Sequence, residues 1–355
     1  MTASETVRRE GEAMQPVVSI IVPARNEEAS LAACLDSLVS QAGIASEVIV
    51  VDDHSTDRTC EVAESFAIAH PEKVRVIEAG PLPAGWTGKN NAIVSGVHEA
   101  SGEWLLFTDA DTIHLPGSHT RAVAEAKEHH ADMLSYSPEQ ITVTFWEMAV
   151  LPVVFAELAR EYPPAKVRDP GSPIAAANGQ YILVRREAYD SVGGHAAIAG
   201  KILEDVALAR VMKLSRRKIR FRYADDAVRT RMYRNFRQLR DGWTKNLALL
   251  FPSPGWLAVK TLLRWGPLWG TMLWPMKLLG VAPWSIAFMV WITFMTMRRL
   301  QHANFAVGMG FLGALFGMPM FAYLLLRSKR AHAKGSVPWK GRTYSNKGGL
   351  LVPGH

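Results

Sequence analysis

The sequence predicts an α/β domain with a Rossmann-like mixed sheet flanked by helices, followed by C-terminal transmembrane helices. Two short apolar runs, 17–22 and 47–51, each lead into a polar loop and then a helical pattern. Such strand–loop–helix units are typical of a parallel layer covered by helices. Further along, the apolar segments 281–297 and 303–326 carry almost no charge and are about long enough to cross a bilayer.

The first unit places a polar loop at the carboxyl end of a buried strand. The β-branched run 17–22 suits a strand covered on both faces, and Pro23 ends it because proline has no amide hydrogen for the ladder. The loop 24–28 follows, and then a helix with one apolar face. Open α/β sheets bind ligands at this edge. The apolar face of the helix consists of Leu31, Leu35 and Leu38.

The second unit repeats this order, with a strand at 47–51, an acidic loop at 52–57 and a helix that continues to about Ala69. Aspartates in such a loop can contact a ligand, but they also form turns and cap helices. The sequence leaves both roles open for Asp52 and Asp57.

Two later segments carry charged side chains suited to a diphosphate. Asp109 and Asp111 follow the apolar run 103–107, and paired carboxylates of this kind can hold a hard divalent cation, either Mg²⁺ or Mn²⁺. Alternatively, the two aspartates merely end a strand. Lys89 follows a glycine-rich turn and can meet a phosphate as a point charge, or it can be a solvated turn residue.

Together these motifs resemble the family 2 glycosyltransferases, which have the GT-A fold. The segments 22–27, 51–57 and 109–111 occur in the order of that family's two nucleotide loops and its metal motif. The resemblance implies a nucleotide-sugar donor, UDP-linked in our interpretation, with Asp53 accepting a hydrogen bond from the base. It assigns donor binding to Pro23, Arg25, Glu27, Asp53, Lys89, Asp109 and Asp111, and metal binding to Asp109 and Asp111.

The same resemblance places the catalytic carboxylates at Glu204 and Asp205, with Asp205 as the general base of an inverting displacement. A carboxylate at a helix start is expected to stay ionised and to accept a proton from a hydroxyl acceptor. The alternative is that both acids merely complement the helix dipole.

Four residues are candidates for the acceptor site. Gly179 and His195 lie in two flexible loops, and Gln238 and Trp243 occur where membrane-bound polymerases of the family carry a Gln-x-x-Arg-Trp signature. This chain has Gln-Leu-Arg-Asp-Gly-Trp at 238–243 instead. The departure argues against processive polymer synthesis, although a polysaccharide synthase remains an alternative function. A non-catalytic membrane protein that binds nucleotide sugars is another.

The C-terminal third predicts a membrane partner. The stretch 234–247 has one apolar stripe, which predicts a helix lying in the membrane interface or packed on the catalytic domain. The arginines around it favour anionic headgroups rather than nucleic acid. The predicted organisation is a polar extension at 1–16, a catalytic domain at 17–233, an interfacial region at 234–280, transmembrane helices at 281–326 and a basic tail at 327–355.

The tail sets the predicted topology and the acceptor class. It is basic with no acidic residue, which predicts a cytoplasmic tail and, with two spans, a multi-pass protein of the inner membrane with a cytoplasmic catalytic domain. Its segment 337–344, together with 85–89, is similar to bacterial glycosyltransferases associated with carotenoid and hopanoid synthesis. That resemblance implies a lipid acceptor such as a carotenoid or another isoprenoid.

Overall fold

A computed structural model of the chain describes residues 16–273, 291, 295, 305, 312–339, 342–345 and 351–352. The predicted α/β fold is confirmed, and its centre is a mixed sheet of seven strands in the order β3-β2-β1-β4-β8-β6-β9. Strands β1, β2, β3 and β4 are parallel to one another, whereas β8 is antiparallel to both of its neighbours. The seven strands are β1 (Val18–Ala24), β2 (Ser46–Asp52), β3 (Val74–Glu78), β4 (Trp104–Phe107), β6 (Met133–Ser137), β8 (Ile182–Arg185) and β9 (Ile219–Tyr223).

Helices cover both faces of this sheet, which explains why β1 and β4 are almost continuously apolar. One face packs Leu31, Leu35 and Leu38 against β1 and β2, as the helical pattern predicts. The other face carries the helices that bear Lys89 and Glu204. The helices around the sheet are α1 (Leu31–Val39), α2 (Thr59–Ala69), α3 (Gly88–Glu99), α4 (Ser118–Glu128), α6 (Pro164–Arg168), α7 (Arg186–Ser191) and α8 (Glu204–Leu214).

A second group of helices packs beside the sheet around an apolar cluster of its own. Phe155, Trp243 and Phe321 lie in this cluster, and each is at most 7% exposed. The amphipathic stretch predicted at 234–247 forms one of these helices and turns its apolar stripe inward, onto the neighbouring helices. The group consists of α5 (Phe145–Glu161), α9 (Phe236–Leu250), α10 (Pro254–Leu273), a π-helical turn (Gly313–Gly317) and α11 (Met318–Ala333).

The structure does not support the predicted transmembrane helices. Within the described ranges, no helix has both the length and the apolar character needed to cross a bilayer. The predicted span 303–326 is described mainly from 312 onward, where it forms the π-helical turn and the first half of α11. That helix packs on α9 and α10 and continues into charged residues such as Arg327 and Lys329. The span predicted at 281–297 lies almost entirely outside the described residues.

Two small sheets complete the described fold. In the first, β10 (Val228–Thr230) joins β5 (Thr112–His114) and β7 (Glu139–Gln140) just behind the predicted metal motif. The second lies in the basic tail and is antiparallel, and it returns the chain to the catalytic domain. Its strands are β11 (Ser336–Trp339), β12 (Arg342–Ser345) and β13 (Leu351–Val352).

Candidate active site

The predicted ligand loops meet at one edge of the sheet. Because β1, β2 and β4 are parallel, their carboxyl ends lie side by side, and the amide of Asp53 donates to the carbonyl of Ala24 at 2.8 Å. These loops line one end of a cleft of about 1790 Å³. The described residues lining it include all of the predicted site residues except His195: Pro23, Arg25, Glu27, Asp53, Lys89, Asp109, Asp111, Gly179, Glu204, Asp205, Gln238 and Trp243.

Hydrogen bonds join the first two loops into one rigid wall. Asn26 and His54 have left-handed backbones, with φ of 54° and 55°. The side-chain oxygen of Asn26 accepts from the Thr56 amide at 2.8 Å. The guanidinium of Arg25 donates to the backbone carbonyls of Asp53 and of His54, the latter at 3.1 Å. Arg25 therefore shapes the nucleotide loop by holding its backbone.

The acidic residues around these loops serve largely as turn and cap partners. Asp57 accepts from the amide of Thr59 at 3.0 Å and from that of Glu28 at 3.2 Å. Asp52 accepts from the Ser55 amide at 3.1 Å, an Asx-type turn. The hydrogen bonds of both aspartates in the structure are thus those of turn formation and helix capping. The amide of Glu27 donates to Thr59 Oγ1 at 2.7 Å, which fixes the loop against α2.

The centre of the cleft holds a carboxylate cluster, defined here as Lys89, Asp109, Glu204 and Asp205. The Lys89 ammonium lies 2.6 Å from Asp109 Oδ1 and 2.5 Å from Glu204 Oε1. It therefore links the predicted metal motif to the predicted catalytic pair. Because the ammonium is half-buried between two carboxylates, its charged form is stabilised and its pKa is raised despite burial.

The electrostatics of the cluster distinguish the two catalytic acids. Burial raises the pKa of Glu204, but the Lys89 ammonium outweighs burial and holds that pKa below its usual value. Burial, together with the adjacent Glu204 carboxylate, raises the pKa of Asp205 to about 7. The expectation that Asp205 is an ordinary ionised carboxylate was therefore wrong: near neutral pH in the structure as described, it is poised between its two protonation states.

Backbone groups fix the direction of Asp205. Its two oxygens accept from the amide of Gly179 at 3.1 Å and from that of Val206 at 2.8 Å. Gly179 also leaves room for the cluster, since a Cβ there would lie 3.1 Å from Glu204 Oε1 and 3.2 Å from Lys89 Nζ. The predicted acceptor-loop residue thus orients the predicted base.

His195 lies beneath the cleft rather than in its wall. It is 1% exposed, its ring is edge-on to Phe107 at 4.8 Å, and its Nδ1 is 3.0 Å from the Tyr189 hydroxyl. Burial and the Lys89 charge lower its pKa to about 3, so the imidazole is neutral at physiological pH. These contacts give His195 a packing role below the carboxylate cluster.

The predicted acceptor residues of α9, Gln238 and Trp243, also line the cleft. The Gln238 side chain accepts from the Arg234 amide at 2.8 Å, and the Gln238 amide donates to Asn235, so this residue is part of the helix cap. Trp243 is 2% exposed, and its indole N–H has no hydrogen-bond partner within the described part of the chain. A buried donor of this kind is costly unless a ligand accepts from it.

The predicted metal motif offers two oxygen ligands. Asp109 and Asp111 both line the cleft, and the hydroxyl of Thr230 supports their loop by donating to the carbonyl of Asp111 at 3.2 Å. No group of three or more His, Cys, Asp or Glu side chains is arranged for a metal among the described residues. Two carboxylates fit a cation such as Mg²⁺, which commonly takes its remaining ligands from water and substrate phosphates.

Some residues that shape the site were not predicted. The side-chain Nδ2 of Asn90 donates to the carbonyls of Ile198, Ala199 and Lys201 at 2.8–3.2 Å and so anchors the loop before Glu204. The tail residue Arg342 forms a two-pronged ion pair with Asp53. The tail motif was visible in the sequence, but its partner 289 residues away was not.

Comparison with known proteins agrees with the predicted family. Residues 19–193 match the family model described as Glycosyl transferase family 2. The chain is 27% identical over 351 residues to the 4,4'-diaponeurosporenoate glycosyltransferase of Staphylococcus aureus strain USA300, which covers 92% of this chain and 88% of that protein. The protein of the same name from strain MRSA252 is 28% identical over 355 residues, with the same coverage.

A solved structure supports the fold. The mannosyltransferase PcManGT from Pyrobaculum calidifontis, in complex with GDP-Man and Mn²⁺, superposes with a TM-score of 0.53 at 17% identity over 89% of this chain and 87% of that one. The superposition shows that the chain has a GT-A-like fold. More specifically, residues 19–193 form a glycosyl transferase family 2 domain, so this part of the chain is that of a family 2 glycosyltransferase.

Proposed function

We propose that this enzyme transfers a sugar, with inversion, from a UDP-linked donor to an acidic isoprenoid lipid. The observation that carries the proposal is that one cleft is lined by the carboxylate cluster, by the nucleotide loops and metal motif, and by a further set of apolar and basic side chains. The cleft, at about 1790 Å³, is larger than a typical small-molecule site, so it has room for a second substrate beside the nucleotide sugar.

The donor half combines the two nucleotide loops with the metal motif. Asp53 is positioned to accept from a base N–H, and Pro23 and Glu27 line the same wall. Asp109 and Asp111 would hold Mg²⁺ or Mn²⁺, which supplies neutralisation of charge on the departing diphosphate. Lys89 adds a protein cation next to that motif.

The reaction is a single displacement. An acceptor oxygen forms the new bond to the anomeric carbon while the bond from that carbon to the diphosphate oxygen breaks, and the nucleoside diphosphate leaves with the electron pair. If the acceptor is a hydroxyl, its proton passes to ionised Asp205. If the acceptor is a carboxylate, it arrives without that proton and needs no strong base.

The acceptor half favours an acidic, apolar molecule. Its described lining is apolar at Phe155, Leu158 and Trp243, and the buried Trp243 N–H, which has no partner among the described residues, would donate to an oxygen of the acceptor. The relative from Staphylococcus aureus is named for a diaponeurosporenoate, a carboxylate by its ending. From residue 231 onward the described lining also includes eight basic side chains, against the single acid Asp241: Arg231, Arg234, Arg237, Arg240, Lys245, Arg327, Arg330 and Lys334.

We also propose that the enzyme works at the inner membrane with its catalytic domain in the cytoplasm. The outer face of α10 exposes Trp256 and Leu263 at 56% and 66%, and Val259 lies beside them. The Lys260 ammonium lies 5.2 Å from the centre of the Trp256 ring. Tryptophan and lysine next to exposed apolar residues are suited to the interface between water and lipid.

The acceptor class can be tested with Asp205→Asn. Wild-type and variant enzyme in lipid nanodiscs would receive a UDP-sugar with a matched pair of isoprenoids, one ending in a carboxylate and the other in a hydroxyl, and the product anomer would be assigned by NMR. We expect inverted product, and a loss of at least about 100-fold in the variant for the hydroxyl but a much smaller loss for the carboxylate. Retained configuration, or turnover of the hydroxyl alone, would refute the proposal.

A further inference from the structure

The basic tail contributes a side chain to the donor half of the cleft. Strand β12 brings Arg342 to Asp53, where Nη2 lies 3.0 Å from Oδ1 and Nη1 also bonds Oδ2. The side chains are 16% and 6% exposed, so the pair is largely removed from water. A two-pronged guanidinium–carboxylate pair fixes the plane of the carboxylate as well as its position.

Asp53 is thereby held from two directions. Arg25 donates to its backbone carbonyl, while Arg342 holds its side chain. Asp53 lines the cleft, but Arg342 is absent from the described residues that line it. Each carboxylate oxygen has a further lone pair. The geometry therefore leaves the aspartate able to accept from a ligand while the arginine orients it.

Gly88 makes this contact possible. A Cβ at this position would overlap both the Arg342 guanidinium and the Asp53 carboxylate. Gly88 is also the first residue of α3, where the helix dipole disfavours a cation. The Asp53 carboxylate offsets this unfavourable position of the guanidinium, and the glycine keeps open the space that the tail residue fills.

We propose that Arg342 is a positioning residue of the nucleobase subsite, so that the C-terminal tail completes the donor site. It holds the Asp53 carboxylate in the orientation that accepts the ring N–H of a uracil-type base. A base without an N–H at that edge gains nothing from this orientation. The inference rests on the proposed UDP-linked donor, and it gives the basic tail a role in donor binding.

The test measures nucleotide binding by full-length protein in nanodiscs, using calorimetry with UDP, CDP or GDP in the presence of Mg²⁺. CDP is the informative comparison because cytosine lacks the ring N–H of uracil. For Arg342→Ala we expect UDP to bind at least about tenfold more weakly and CDP to change far less, so that base selectivity falls. Arg342→Lys should be intermediate, because an ammonium makes a single-point contact.

Two further variants separate positioning from folding. Gly88→Ala retains the arginine but displaces it, and it should reproduce the selectivity loss. Lys329→Ala removes an exposed cation of α11 away from the cleft and should bind UDP as the wild type does. In Arg342→Ala, the donor KM should rise while kcat stays within about threefold, since a role confined to the ground-state donor complex affects KM.

The outcomes separate the two proposals. If wild-type protein binds UDP tightly and Arg342→Ala binds it equally well, the positioning role fails while the proposed function stands. Tighter UDP binding by Arg342→Ala would also overturn it, because Arg342 would then be blocking the subsite. Wild-type protein that does not bind UDP under these conditions would refute the UDP donor and this inference together.

Discussion

Replacing Asp205 with asparagine should stabilise the protein at alkaline pH. The carboxylate is held beside Glu204 in a largely enclosed site, which raises its pKa from 3.8 to about 7. Such a rise corresponds to about 4 kcal/mol against the ionised folded state as an upper limit. Water in the cleft screens part of this electrostatic cost. The asparagine side chain can accept only one of the two backbone hydrogen bonds that Asp205 accepts, and the lost bond costs about 1 kcal/mol.

The sign follows from proton binding. Between pH 3.8 and about 7 the folded state holds the Asp205 proton more tightly than the unfolded state does. Stability due to this group is therefore lost as pH rises through that window. The free energy of unfolding of Asp205→Asn, relative to wild type, should accordingly increase by about 1–2 kcal/mol from pH 5 to pH 8.

Thermal unfolding of both proteins at pH 5, 6, 7 and 8 measures this difference. We expect the midpoint of the variant to gain a few degrees on wild type between pH 5 and pH 8. Asp225→Asn, which alters an exposed carboxylate elsewhere, should show no comparable trend. A difference between Asp205→Asn and wild type that stays constant with pH, or falls, would refute the assigned electrostatics.

Two other substitutions test the cluster and the acceptor half. Burial and Glu204 raise the pKa of Asp205 and Lys89 lowers it, so with the hydroxyl acceptor Lys89→Met should move the acid limb of the rate–pH profile upward and reduce turnover at least about 100-fold; an unshifted limb would contradict this coupling. Trp243→Phe keeps an aromatic ring but removes the indole N–H, so the acceptor KM should rise about three- to tenfold while the donor KM is unchanged. An effect confined to the donor KM would contradict the assignment of Trp243 to the acceptor site.

The sequence predicts the meeting of the ligand loops because parallel strands end at a common edge. Asp53 follows β2 and Asp109 follows β4, whereas Pro23 does not end β1 as predicted but lies one residue before its end, paired with Val51. The structure gathers all three site residues in one cleft. The order of the motifs was sufficient to predict the fold and the family. Local pattern and topology carry this information, which needs no side-chain geometry.

The contacts between distant segments could not be predicted in this way. Lys89 has charge suited to a phosphate, but its carboxylate partners depend on how α3, α8 and the loop after β4 come together on one face of the sheet. Asp205 lies at the start of a helix, where the dipole favours an ionised acid, but burial beside Glu204 raises its pKa instead. The prediction of a transmembrane span at α11 was also unsupported, because an apolar stretch that packs against other helices has the same hydropathy as one that crosses lipid.

The most direct test of the central claim is the fate of a labelled sugar. Membranes containing wild-type protein or Asp111→Ala would be incubated with UDP-linked sugars, Mg²⁺ or Mn²⁺ and an isoprenoid carboxylate, then partitioned between water, organic solvent and insoluble polymer. A lipid glycosyltransferase predicts label in the organic phase that depends on intact Asp111. Label in insoluble polymer would identify a polysaccharide synthase, and absence of transfer by wild type would contradict the proposed reaction.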